Sequence, residues 1–123
     1  MKILIVDDSN FSQKITSNIL KKYIENADIH FANDGQEGFD KYKDIKPNYV
    51  FIDLLMPKMN GHEMVKLVKE YDNAAKIFII SADVQKSIKE EMEKCGIISF
   101  INKPIDEEKA KFISDMIRND KNE

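Results

Sequence analysis

The chain is short of the residues that staple, break or anchor a small fold. It has one cysteine, two histidines, three prolines and four glycines in 123 residues. A lone Cys95 cannot close an internal disulfide, which fits a protein of the reducing cytoplasm. It precedes Gly96 with no base near it in sequence, so it reads as a packed thiol rather than a nucleophile. His30 and His62 lie far apart, lack metal-ligand spacing and read as exposed bystanders. No apolar run approaches the ~20 residues that cross a bilayer. The N-terminus offers one lysine and an apolar run cut short by Asp7, which is no signal peptide. Membrane insertion is therefore not expected. Excess positive charge is missing too. The net charge is -3 and the lysines are spread out, so nucleic acid is not an expected partner.

What remains is an ordinary globular composition, 42% hydrophobic and 33% charged, long enough for one domain, 1–123, with a real core. Short apolar runs alternate with amphipathic segments, the pattern of repeated β/α units. The runs predict strands over 2–6, 29–32, 49–52, 76–80 and 97–101. Ser9 or Asn10 can cap a first helix carrying Phe11, Ile15, Ile19 and Tyr23. Asn33-Asp34-Gly35 opens a second, with Gly38, Phe39 and Tyr42, and Pro47-Asn48 breaks it. The third carries Met64, Leu67, Val68 and Tyr71. A fourth carries Val84, Ile88 and Met92 and stops at Gly96. The last carries Ala110, Ile113, Met116 and Ile117, and Arg118 to Glu123 read as a frayed polar tail.

Strands 1, 3 and 4 are continuously apolar, as in a parallel sheet covered on both faces. Right-handed crossovers then give a doubly wound, five-stranded α/β protein, a three-layer α/β/α sandwich of flavodoxin-like type. The short, less apolar strand 2 belongs at an edge, so the order is 2-1-3-4-5, with its switch point between strands 1 and 3.

The chemistry-bearing residues sit where apolar runs stop: Asp7-Asp8 after the first, Asp53 after the third, Ser81 after the fourth and Lys103-Pro104 after the fifth. In an open parallel sheet these carboxyl ends face one crevice. Capping explains Asp7-Asp8 alone, but not a third carboxylate across the crevice, because like charges at a few Å repel. A hard cation removes that penalty, and a set of carboxylates without histidine or cysteine suits Mg²⁺ or Mn²⁺ better than zinc. Lys103 could pair with Asp53 at rest and with a phosphoryl oxygen after reaction, and Ser81 could donate to the same group.

With these residues in this order the chain resembles the receiver domain of bacterial response regulators over nearly its whole length. Ile3-Leu4-Ile5-Val6-Asp7-Asp8-Ser9 is similar to the family's opening strand and acid pair. Asp53-Leu54-Leu55-Met56-Pro57, with Gly61 eight residues after the aspartate, is similar to its phosphoacceptor block. Ser81-Ala82 matches its hydroxyl-alanine step and Lys103-Pro104 its lysine and proline. The resemblance implies that Asp53 accepts a phosphoryl group from a histidine kinase or histidine phosphotransfer protein. It also implies that Asp8 ligates Mg²⁺ directly, with Asp7 close by or acting through water, and that the Leu55 carbonyl and Asp53 complete the protein's ligands. Phe100 stands where the family carries an aromatic rotamer switch. The surface of helix 4, strand 5 and helix 5 would carry the signal to a flagellar motor switch, a phosphatase or a relay protein.

Such a receiver catalyses only its own phosphorylation and dephosphorylation. With no output domain in the sequence, a stand-alone cytoplasmic receiver is expected. Leu55 and Asp83 would flank the path of the hydrolytic water. The main rival is a phosphorylation-independent interaction module on the same fold, against which stands the complete set of competent site residues. A flavodoxin-type electron carrier is excluded because Asp7-Asp8 would repel the flavin's phosphate.

Overall fold

The computed structural model describes residues 1–56, 59–82 and 85–121. Pro57, Asp83 and Val84, singled out above, lie outside the described residues. Strands β1 (Lys2–Val6), β2 (Asp28–Ala32), β3 (Tyr49–Ile52), β4 (Ile77–Ser81) and β5 (Ser99–Asn102) form one parallel sheet in the order β2-β1-β3-β4-β5. The helices are α1 (Asn10–Tyr23), α2 (Gly35–Ile45), α3 (Gly61–Tyr71), α4 (Lys86–Lys94) and α5 (Glu107–Lys121). This is the doubly wound three-layer arrangement that the sequence predicts.

Strand alternation sorts the core into two halves, because successive side chains point to opposite faces. Leu4, Val6, Val50 and Ile52 pack with Tyr42 of α2, Met64, Val65 and Val68 of α3 and Met92 of α4. Ile3, Ile5, Phe51 and Ile80 pack with Leu20 of α1 and Ile113 and Ile117 of α5. Phe51 stacks on Phe78 at 4.9 Å between ring centroids. Each strand of the central three is buried at nearly every position, which is why their sequences are apolar throughout.

The loops beyond the carboxyl ends of β1, β2 and β3 each lead into a capped helix. The side chains of Ser9, Asp34 and Asn60 accept hydrogen bonds from the backbone N–H of Ser12, Glu37 and Glu63, satisfying donors of the first helical turn. At the entry to α4, Gln85 makes no such side-chain bond, and Met92 is that helix's one fully buried residue. The helix stops where Gly96 takes φ +88°, a left-handed conformation that glycine adopts without a Cβ penalty.

Four expectations need correction. The fourth and fifth strands run 77–81 and 99–102, not 76–80 and 97–101. Ile97 and Ile98 are apolar because they pack against the two core halves from the loop. On α1 the sheet-facing residues are Gln13, Thr16, Ser17 and Leu20, while Phe11 is 75% exposed and Ile15 is exposed as well. Here polar contacts beneath the acid pair set the rotation of the helix, and its apolar spacing misleads. The supposed frayed tail is helical to Lys121. Asp120 accepts hydrogen bonds from Tyr49 Oη at 2.6 Å and Lys76 Nζ at 2.7 Å, tying α5 to the amino ends of β3 and β4. His30 and His62 are half-buried rather than exposed, each with Nε2 close to a carboxylate: 3.2 Å to Asp28 and 3.0 Å to Glu91. Glu91 also pairs with Lys66 at 2.9 Å, so it links α4 to α3.

Candidate functional site

The ladder of β1 ends at Val6, paired to Ala32 on one side and Ile52 on the other. Beyond it, Asp7 N–H still donates to the Ala32 carbonyl and Asp53 N–H to the Val6 carbonyl. Those two bonds bring the acids of the first and third strands side by side at the switch point. Lys103 follows β5, and its N–H donates to the carbonyl of Ser81 on β4. Gly61 lets α3 start hard against the backbone of Asp53, since a Cβ there would fall 2.2 Å from the Asp53 carbonyl oxygen.

The side chains converge as these backbone positions require. Lys103 Nζ lies 2.8 Å from Asp7 Oδ2 and 2.8 Å from Asp53 Oδ2, bridging two buried carboxylates. Asp53 Oδ1 accepts from Ser81 Oγ and from the Leu55 N–H, each at 3.0 Å. Asp7 Oδ1 accepts from Ser9 N–H at 3.0 Å. Burial alone would lower the Lys103 pKa, but its hydrogen bonds to Asp53 and Asp7, with their charge, hold it above the ordinary value. Lys103 is thus fully protonated at neutral pH.

Asp7, Asp8 and Asp53 present carboxylate oxygens that all lie within 4.8 Å of one another, with Asp8 exposed and the others buried. An oxygen-only donor set at that spacing fits a hard divalent cation. Leu55, whose N–H donates to Asp53, has a 59% exposed side chain. Ala82 and Pro104 lie on the exposed rim, the Lys103-Pro104 peptide being cis. Phe100 on β5 is half-buried against the core half that faces α4, with Lys89 Nζ 5.6 Å from its ring centroid.

One residue of this neighbourhood is missing from the sequence reading. Gln13 on α1 is buried, and its Nε2 donates to the main-chain carbonyl of Asp7 at 2.6 Å. Its only signal in the sequence is a polar residue on the same helical stripe as Thr16, Ser17 and Leu20.

Among known proteins, the model of the response regulator receiver domain matches residues 3–113. The chain is 37% identical over 103 residues to the chemotaxis protein CheY of Thermotoga maritima, covering 84% of this chain and 85% of that protein. It is 34% identical over 104 residues to protein-glutamate methylesterase/protein-glutamine glutaminase 3 of Geobacter sulfurreducens. That match covers 85% of this chain but spans only 28% of the relative's length. In shape it is similar to the CheX-CheY-BeF3-Mg complex of Borrelia burgdorferi, with a TM-score of 0.85 and 30% identity, covering 97% of this chain and 87% of that one.

Proposed function

Because the chain belongs to the response regulator receiver domain family, we propose that it is a phosphoacceptor of a two-component signalling system, with Asp53 as the acceptor. The observation that carries this reading is the convergence on one buried carboxylate of an ammonium at 2.8 Å and a hydroxyl at 3.0 Å within a three-aspartate cluster. That combination holds a nucleophile and the groups that would receive the charge of an arriving phosphoryl group.

In the proposed reaction an Asp53 carboxylate oxygen attacks the phosphorus of a phosphohistidine on a histidine kinase or histidine phosphotransfer protein. The O–P bond forms, the N–P bond breaks and its electron pair stays on the donor's imidazole. Lys103 exchanges its carboxylate partner for a phosphoryl oxygen, and Ser81 redirects its hydroxyl to another. Mg²⁺ or Mn²⁺, held by Asp7, Asp8, Asp53 and the Leu55 carbonyl, would neutralise phosphoryl charge when bound. The chain would catalyse no reaction beyond its own phosphorylation and dephosphorylation.

Movement of Ser81 toward the phosphoryl group would open space for the half-buried Phe100 and so alter the surface of α4, β5 and α5. The weak anchoring of α4, with one fully buried residue and no side-chain N-cap, supports it as the element that responds. Relatives named as chemotaxis proteins support an output of that type; the proposed setting is the cytoplasm and the proposed target a motor switch, a phosphatase or a relay protein. None of the described helices is long and apolar enough to cross a membrane.

The test is exposure to acetyl phosphate with and without Mg²⁺, followed by intact mass. One phosphoryl group should add only when Mg²⁺ is present, and Asp53→Asn should abolish it. Equal incorporation in the variant would refute Asp53 as acceptor.

A further inference from the structure

The sheet's hold on this end of β1 extends to the Asp7 N–H, bonded to Ala32, and the peptide joining Asp7 to Asp8 beyond it must also be fixed if both carboxylates are to meet one cation. Its carbonyl is buried, and a buried carbonyl without a partner is costly. The partner is Gln13. Its Nε2 lies 2.6 Å from Asp7 O, 3.2 Å from Ala32 O and 3.0 Å from Asn33 Oδ1. All three neighbours are acceptors, so the nitrogen, with two protons to give, is the only end of the amide that fits there. Asn33 is oriented independently, because its Nδ2 faces Glu37 Oε2 at 3.5 Å and leaves Oδ1 for Gln13. The amide's orientation is therefore set by the network around it.

A peptide unit is planar, so a bond to the Asp7 carbonyl also fixes the N and Cα of Asp8. We propose that Gln13 is a positioning residue for the cation site. It holds the Asp7–Asp8 peptide from behind, sets the site's affinity for Mg²⁺ and takes no part in phosphoryl transfer itself. The inference rests on the reading of this cluster as a Mg²⁺ site. Groups that orient ligands from behind typically change metal affinity by about 10–100-fold when removed.

The experiment is calorimetric titration with Mg²⁺ alone on the wild type, Gln13→Met and Gln13→Asn, with Ser17→Ala as a control at a buried polar position on the same face of α1. Gln13→Met keeps the shape and loses the donor; it should bind Mg²⁺ at least about tenfold more weakly. Gln13→Asn stays polar but draws the donor back by one methylene, and should lose about fivefold or more, which keeps the question open if the Met variant does not fold. Ser17→Ala should bind as the wild type does.

A second readout separates positioning from chemistry. The Mg²⁺ concentration for half-maximal phosphorylation by acetyl phosphate should rise in step with the calorimetric Kd, while the rate at saturating Mg²⁺ stays within about twofold of wild type. Wild-type affinity in both Gln13 variants, an equal loss in Ser17→Ala, or a collapsed rate at saturation would overturn the inference. A wild type that binds no Mg²⁺ would overturn the cation-site reading and this inference with it.

Discussion

Asp53→Asn tests the electrostatics of the site more sharply than its loss of phosphorylation does. Without a divalent cation, Asp53 is attracted by Lys103 at 2.8 Å and repelled by Asp7 and Asp8 at no more than 4.8 Å. At an effective dielectric of about 20 the attraction is worth about 6 kcal/mol and each repulsion at least about 3.5 kcal/mol, the Asp8 share being reduced by its exposure to solvent. The two effects nearly cancel. Removing the charge should therefore leave the cation-free protein within about 2 kcal/mol of wild type, rather than cost the 3–5 kcal/mol of a broken buried pair. For a chain of 123 residues a change of 1 kcal/mol moves Tm by roughly 4 °C. Mg²⁺ should break the balance, because a cation held by the folded site is bound more tightly with each carboxylate. At ten times its Kd it should add about 1.4 kcal/mol, or roughly 5 °C, to the wild type. The variant, with one ligand charge fewer, should gain less than about 2 °C at the same concentration. Thermal melts at fixed ionic strength, with and without Mg²⁺, give all four numbers. A cation-free variant melting more than about 12 °C below wild type would refute the argument. So would a Mg²⁺-induced rise equal to that of the wild type.

Three other expectations follow from individual residues. Lys103→Ala leaves the Asp7 and Asp53 carboxylates without their ammonium, so its Tm should fall by at least about 12 °C without Mg²⁺ and recover largely with it. Because hydrogen bonds to Asp53 and Asp7 outweigh burial and raise the Lys103 pKa, its contribution is complete below the ordinary value of 10.5 and fades as pH rises through the higher folded value. The variant's alkaline melting curve should lack that decline. Leu55→Asn puts a hydrogen-bonding side chain two residues after Asp53, the proposed acceptor, where the 59% exposed leucine offers none. It should shorten the phosphorylated lifetime by a factor below the roughly hundredfold ceiling of a positioning effect, and unchanged decay at fixed Mg²⁺ would count against Leu55 bordering the water path. Asp120→Asn should cost about 1.5 kcal/mol, or roughly 6 °C, by weakening its bonds to Lys76 and Tyr49. Those bonds, Lys76 first, hold the Asp120 carboxyl below its ordinary 3.8, so its contribution is present above that value and lost as pH falls through the depressed one. Identical acid unfolding of variant and wild type would show that the contact contributes nothing.

What was legible in the sequence is what the sheet dictates. Continuous apolar runs such as Tyr49–Ile52 are buried on both faces, and a parallel sheet sends all their carboxyl ends to one crevice. Asp7, Asp8, Asp53, Ser81 and Lys103 are therefore gathered by topology, and their order along the chain is enough to find them. What was not legible depends on rotation and on polar contacts that carry no period. Phe11, Ile15, Ile19 and Tyr23 make a convincing apolar stripe, yet α1 turns Gln13, Thr16 and Ser17 to the sheet instead. The reason is local: under the acid pair the buried acceptors are main-chain carbonyls, and an amide satisfies them where an aliphatic chain would not. The same holds at the far end of α5, where a polar sequence reads as frayed because the partners that order it, Tyr49 and Lys76, are 71 and 44 residues away. Hydrophobic periodicity locates the elements; the facing of a helix near a polar site is decided by which buried donors and acceptors must be paired.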